Sequence, residues 1–311
     1  MPTATTIPDY TLTNWGPLTT AFSADAACAT LGISMMGFRT ALGFGYSAEC
    51  AVPTVGAACY PSGSQLDAAA SAAYNTFGVH PKAAYFSPGL VCPSGWKTVG
   101  VAARAADGSI SASGIFVAPT LTTAPSSDQA ATDSTLGTLF YNPVVNAFTA
   151  ALDLGETAAA CCPSSMTAVT DGVCVSTLPD YRLSTFCERF APGAEVSTVT
   201  TDITLLGVHT TVQLITPINS GLITSTVTTE VPAEQSADLV GVKYIPMVML
   251  VRKANDAAGT GGDGGGAGPS PSKTNAASPG RMGSGDGGVP LVAVMACVSA
   301  LLMGSAWILA R

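Results

Sequence analysis

The sequence predicts a mainly β fold: a disulfide-stapled, sandwich or barrel-like ectodomain, then a disordered linker and one C-terminal transmembrane helix. Three observations predict it. Val, Ile and Leu alternate with Thr over long stretches, eight cysteines lie outside the tail, and the composition changes abruptly after residue 252. Alternation with period two places one face of a strand inward and the other in solvent.

The chain divides into residues 1–252, a β-rich cysteine-containing ectodomain; 253–288, a Gly/Ser/Pro linker; and 289–310, an apolar segment. Within the first unit, Trp15 to Leu18 followed by Thr19 and Thr20 reads as an early strand. Ser64 to Phe77 is rich in Ala, with Leu66, Ala70, Ala73 and Tyr74 at helical spacing, and predicts a short helix. Thr98 to Ala103 and Gly114 to Val117 are joined through Ala106-Asp107-Gly108, a turn tripeptide, and predict a hairpin. Thr157 to Cys162 and Val173 to Thr177 flank Thr170-Asp171-Gly172 and predict a second. The clearest alternation runs from Val196 to Ile215 and from Leu222 to Val231, and strands over Leu239 to Val251 close the domain.

Charged residues make up 10% of the chain, against roughly 25% in an ordinary soluble domain. Ser, Thr, Ala and Gly take their place, so the surface is neutral and rich in hydroxyls. A net charge of -8 with only 12 Lys and Arg leaves no basic patch to displace counterions from phosphates, which argues against nucleic acid as a partner.

Of nine cysteines, Cys297 lies in the apolar tail, leaving Cys28, Cys50, Cys59, Cys92, Cys161, Cys162, Cys174 and Cys187 as an even set. Zinc would want Cys-x-x-Cys knuckles or histidines, and the chain has no such knuckle and two histidines, His80 and His209. Disulfides are expected, with the pairing open. Adjacent residues of a strand point to opposite faces, so Cys161 and Cys162 are expected to bridge to different partners and tie two layers together.

Lys253 to Gly288 has almost no apolar side chains to offset the entropy of folding and reads as a disordered tether. Gly259, Gly261 and Gly264 match a dinucleotide-binding pattern literally, but no apolar helix follows to present N–H groups to a pyrophosphate. Val289 to Ala310 is an uncharged run of 22 residues, roughly 33 Å as a helix, which matches a bilayer core of about 30 Å and makes the lipid bilayer a partner. Two anchors fit. Arg311 at the end favours a spanning helix, whereas Asn275-Ala276-Ala277, an eleven-residue polar spacer and the apolar tail have the order of a glycolipid signal with attachment at Asn275. The first thirty residues show neither a basic n-region nor an apolar h-region, so three alternatives stay open: a start upstream, unconventional export, or a cytosolic tail-anchored protein.

Little chemistry is legible. His209 sits in an alternating strand and His80 precedes a proline, so neither marks a triad. Asp153 with Glu156, or Asp202, supply carboxylates of the kind a glycosidase uses, without a spacing that singles them out. Asp107-Gly108 and Asp171-Gly172 read as hairpin turns before calcium loops. Trp96, near Cys92, reads as packing on a disulfide before a sugar platform. No catalytic, cofactor-binding or metal residue is assigned, and no cofactor is expected.

Four stretches carry a resemblance: Thr5 to Thr20 (TTIPDYTLTNWGPLTT), Tyr85 to Trp96 (YFSPGLVCPSGW), Cys161 to Pro179 (CCPSSMTAVTDGVCVSTLP) and Ala237 to Val251 (ADLVGVKYIPMVMLV). In order along most of residues 5–251, they resemble a family of uncharacterised cell-surface proteins of filamentous ascomycete fungi, some carrying an LPXTG-domain label. The resemblance implies a surface protein and no particular activity; the chain contains no Leu-Pro-x-Thr-Gly. The function expected is a membrane-anchored surface or cell-wall-associated protein, with cell-wall polysaccharide or surface proteins as partners. The alternatives are a carbohydrate-binding module or hydrolase at the surface, and the cytosolic tail-anchored protein.

Overall fold

The computed structural model describes residues 2–3, 6–7, 10–26, 28, 32–39, 41–51, 58–77, 82–117, 142–205 and 208–256. The first half holds β1 (Thr6–Ile7), β2 (Tyr10–Asn14), β3 (Ile33–Phe38), β4 (Ala41–Tyr46), helix α1 (Gly63–Tyr74), β5 (Thr76–Phe77), β6 (Lys82–Tyr85), β7 (Trp96–Arg104) and β8 (Ile110–Gly114). After helix α2 (Val144–Ala151) come β9 (Glu156–Pro163), β10 (Thr167–Val169), β11 (Val173–Thr177), β12 (Thr185–Phe190) and β13 (Glu195–Leu205). β14 (Val208–Asn219), β15 (Gly221–Leu222), β16 (Ser225–Glu230), β17 (Leu239–Pro246) and β18 (Val248–Lys253) complete it.

Two sheets dominate, in a mainly β fold. One has the order β18-β9-β7-β8, the other β10-β11-β17-β3-β4, and every neighbouring pair in both is antiparallel. β17 and β18 are separated only by Met247, yet they belong to different sheets, so one continuous apolar run supplies a strand to each. In β18, Val248, Met249, Leu250 and Val251 are all buried, because both of its edges and both of its faces are covered. β9 pairs along one edge, and the backbone of Phe86 and Gly89 bonds to Met249 and Val251 along the other.

The largest core lies around this sheet. Ala102, Ala158 and Ala160 are fully buried in it, together with Val145, Ala147, Phe148 and Ala151 of α2. Phe148 meets Tyr85 of β6 edge to face at 5.9 Å between ring centroids. Nothing in Asn142-Pro143-Val144-Val145 announces this helix, since β-branched residues disfavour helices; burial overrides the propensity. α1 matches its expectation except at the end, where Thr76–Phe77 forms β5 instead: Leu66, Ala70, Ala73 and Tyr74 are half-buried, while Ser64, Gln65, Ala68 and Ala72 on the opposite side are exposed.

The hairpin expectations hold in part. The Asp107-Gly108 turn joins β7 to β8, but the second strand is Ile110–Gly114, earlier than the expected Gly114 to Val117. The Asp171-Gly172 turn joins β10 to β11, whereas Thr157 to Cys162, expected as its partner strand, lies in β9 of the other sheet. Pro163 ends that strand, and a turn closed by the Met166 N–H on the Pro163 carbonyl starts a new one. The early strand falls on Tyr10–Asn14, with Leu18 contributing only an isolated bridge to Gly89.

Candidate functional site

All eight cysteines expected to be oxidised are in disulfides: Cys28–Cys59, Cys50–Cys187, Cys92–Cys161 and Cys162–Cys174. Cys161 and Cys162 do bridge to different partners. Cys161 fastens β9 to the loop before β7, and Cys162 fastens β9 to β11, which links the two principal sheets.

The carboxylate pair Asp153 and Glu156 is brought together at the start of β9, and both groups serve the fold. Glu156 has no solvent exposure. Its Oε2 accepts a bond from the Asp153 backbone N–H at 3.0 Å, and Oε1 lies 3.8 Å from Lys253 Nζ at the end of β18. The Asp153 carboxylate accepts bonds from the Thr3 N–H and hydroxyl at 3.0 and 2.9 Å. Glycoside hydrolysis needs one carboxyl to protonate a leaving group and a second to reach the anomeric carbon or its water. A carboxylate with no accessible surface reaches neither, so this pair closes one end of the sheet.

A second charged cluster was not legible in the sequence. Arg189 of β12 is buried, its guanidinium carbon 3.5 Å from the centroid of the Tyr74 ring at the end of α1, and its Nη1 donates to the Tyr74 carbonyl at 3.3 Å. The Tyr74 hydroxyl donates to the Glu49 carbonyl at 2.6 Å, beside the Cys50–Cys187 bridge. Burial pushes Tyr74 and Tyr244 above the usual phenol range, with the Arg189 charge pulling both the other way; burial also lowers Arg189. These tyrosines stay neutral and Arg189 stays charged, so the cluster holds β12 against α1 by cation–π attraction and backbone bonding.

Trp96 packs edge to face on Tyr60 at 6.0 Å, and Tyr60 in turn meets Trp15 at 6.5 Å. Tyr60 is buried with its hydroxyl donated to the Met247 carbonyl at 2.9 Å, and burial raises its pKa well above the phenol range. Trp96 thus belongs to the rim of the core. The two Asp-Gly sequences are both hairpin turns. The Asp107 carboxylate accepts from the Ser109 hydroxyl and N–H, which hold its pKa below the usual range. Asp171 accepts from the Thr170 hydroxyl at 3.1 Å, and burial pushes its carboxyl up to about 7.

One groove, of about 530 Å³, opens between the start of β7, the end of β8 and β10. Its lining includes the apolar Val99, Ile115, Met166 and Ala168 together with Lys97 and Thr167. Among the described residues, no carboxylate or histidine lines it. Among the described residues there is no cluster of three or more metal-binding side chains.

His80, Asn275 and the segment 289–310 lie outside the described residues; His209 falls in β14, opposite Thr204. No helix among the described residues is long and apolar enough to cross a membrane. The chain matches no protein-family model, no curated protein and no solved structure.

Proposed function

We propose that this chain is a membrane-anchored surface or wall-associated protein whose disulfide-bonded ectodomain faces outside the cell and carries no catalytic machinery. The observation that supports it most is the pairing of all eight ectodomain cysteines in four bridges, because such a framework persists in oxidising compartments and is rare in the cytosol. The sparsely charged, hydroxyl-rich composition agrees with an exposed life outside the cell. So does the use of Asp153 and Glu156 as structural groups at the start of β9. Residues 289–310 supply the anchor, either as a spanning helix or as the signal for a glycolipid at Asn275. The resemblance of four stretches to fungal surface proteins belongs to the same reading, with polysaccharide or other surface proteins as partners. No Asn-x-Ser/Thr sequon is present, so glycans on it are O-linked.

The test is alkylation of the native full-length protein with and without reductant, read by mass, together with labelling of intact cells by an impermeant amine reagent. The expected result is eight thiols protected until reduction and a labelled ectodomain. Freely reacting thiols and an unlabelled protein would establish the cytosolic tail-anchored alternative instead. Release of the labelled ectodomain by a phosphatidylinositol-specific phospholipase identifies the glycolipid; retention identifies the spanning helix.

A further inference from the structure

We draw no further inference here: the strongest candidate, the groove between the start of β7, the end of β8 and β10, lies beside the points where the chain leaves the described residues after Val117 and re-enters them at Asn142, and nothing in the structure shows what covers it.

Discussion

Cys162 of β9 is bonded to Cys174 of β11 across a separation of 12 residues, and this disulfide joins a strand of the four-stranded sheet to one of the five-stranded sheet. Its short loop means that it restrains the unfolded chain less than the longer bridges do, while its position makes it decisive for how the sheets meet.

The bridges are therefore expected to differ in their contribution to stability. Cys50–Cys187 spans 137 residues, but the bridges of separation 69 and 12 nested inside it shorten its effective loop to about 56. Chain entropy then gives about 4 kcal/mol for Cys50–Cys187 and about 3 kcal/mol for Cys162–Cys174. Double serine variants of each pair, unfolded in guanidinium chloride, are expected to rank in that order. A larger loss for C162S/C174S would show that the sheet junction, and not loop closure, sets the effect.

Asp171 gives the stability a pH dependence. Burial pushes its carboxyl up to about 7, well above the ordinary carboxylate value of 3.8. Folding thus favours the protonated form: the contribution is complete below about pH 4 and is lost as the pH rises through 7. Asp171→Asn is expected to equal the native protein near pH 4 and to exceed it at pH 8, by up to about 4 kcal/mol. Thermal melts across that range check the crossover, and parallel curves for the two proteins would refute it.

Arg189 and Tyr74 are expected to be coupled. Arg189→Lys keeps the charge but loses the planar stack over the ring, at a cost of about 1 kcal/mol or more. Tyr74→Phe keeps the ring and loses the bond to the Glu49 carbonyl, also about 1 kcal/mol. A double-mutant cycle between Arg189→Met and Tyr74→Leu should return an interaction energy above about 0.5 kcal/mol; additivity would mean the stack contributes nothing.

At the start of β9 the two partners of the ion pair are expected to be unequal. Lys253 is about half exposed, so Lys253→Met should cost no more than about 1 kcal/mol. Glu156→Ala removes a fully buried side chain and leaves the Asp153 N–H without that acceptor, so about 3 kcal/mol is expected. Urea midpoints of the two variants decide the matter.

Turn chemistry and cysteine parity were the legible parts of this chain. Asp107-Gly108 and Asp171-Gly172 marked both turns correctly, because only a few residues satisfy positive φ there, as Gly108 at +85° and Gly172 at +79° do. What the turns joined was less legible. Ser111, Ala112 and Ser113 of β8 carry no apolar alternation, and that strand is exposed throughout, so its pairing with β7 rests on backbone bonds that leave no pattern in side-chain polarity. Gly114, at the end of β8, crosses so close to the Val99 carbonyl that a Cβ would collide with it, a constraint visible only in three dimensions. The roles of Glu156 and Arg189 stayed hidden for another reason: a carboxylate at a strand start and an arginine in Thr-Phe-Cys-Glu-Arg-Phe look the same on a surface as in a core. Their partners, Lys253 and Tyr74, are distant in sequence.

The clamping of β18 on both edges has a mechanical consequence. A pull applied at Lys253 along the axis of β18 would act at right angles to the ladder that ties Val248–Lys253 to Glu156–Cys161. Such a load acts in shear, stretching the ladder's bonds together, rather than unzipping them one after another. The bonds from Phe86 and Gly89 resist the same displacement from the opposite side. Under such a load β18, the last strand among the described residues, would pass tension into the sheet without peeling away from it.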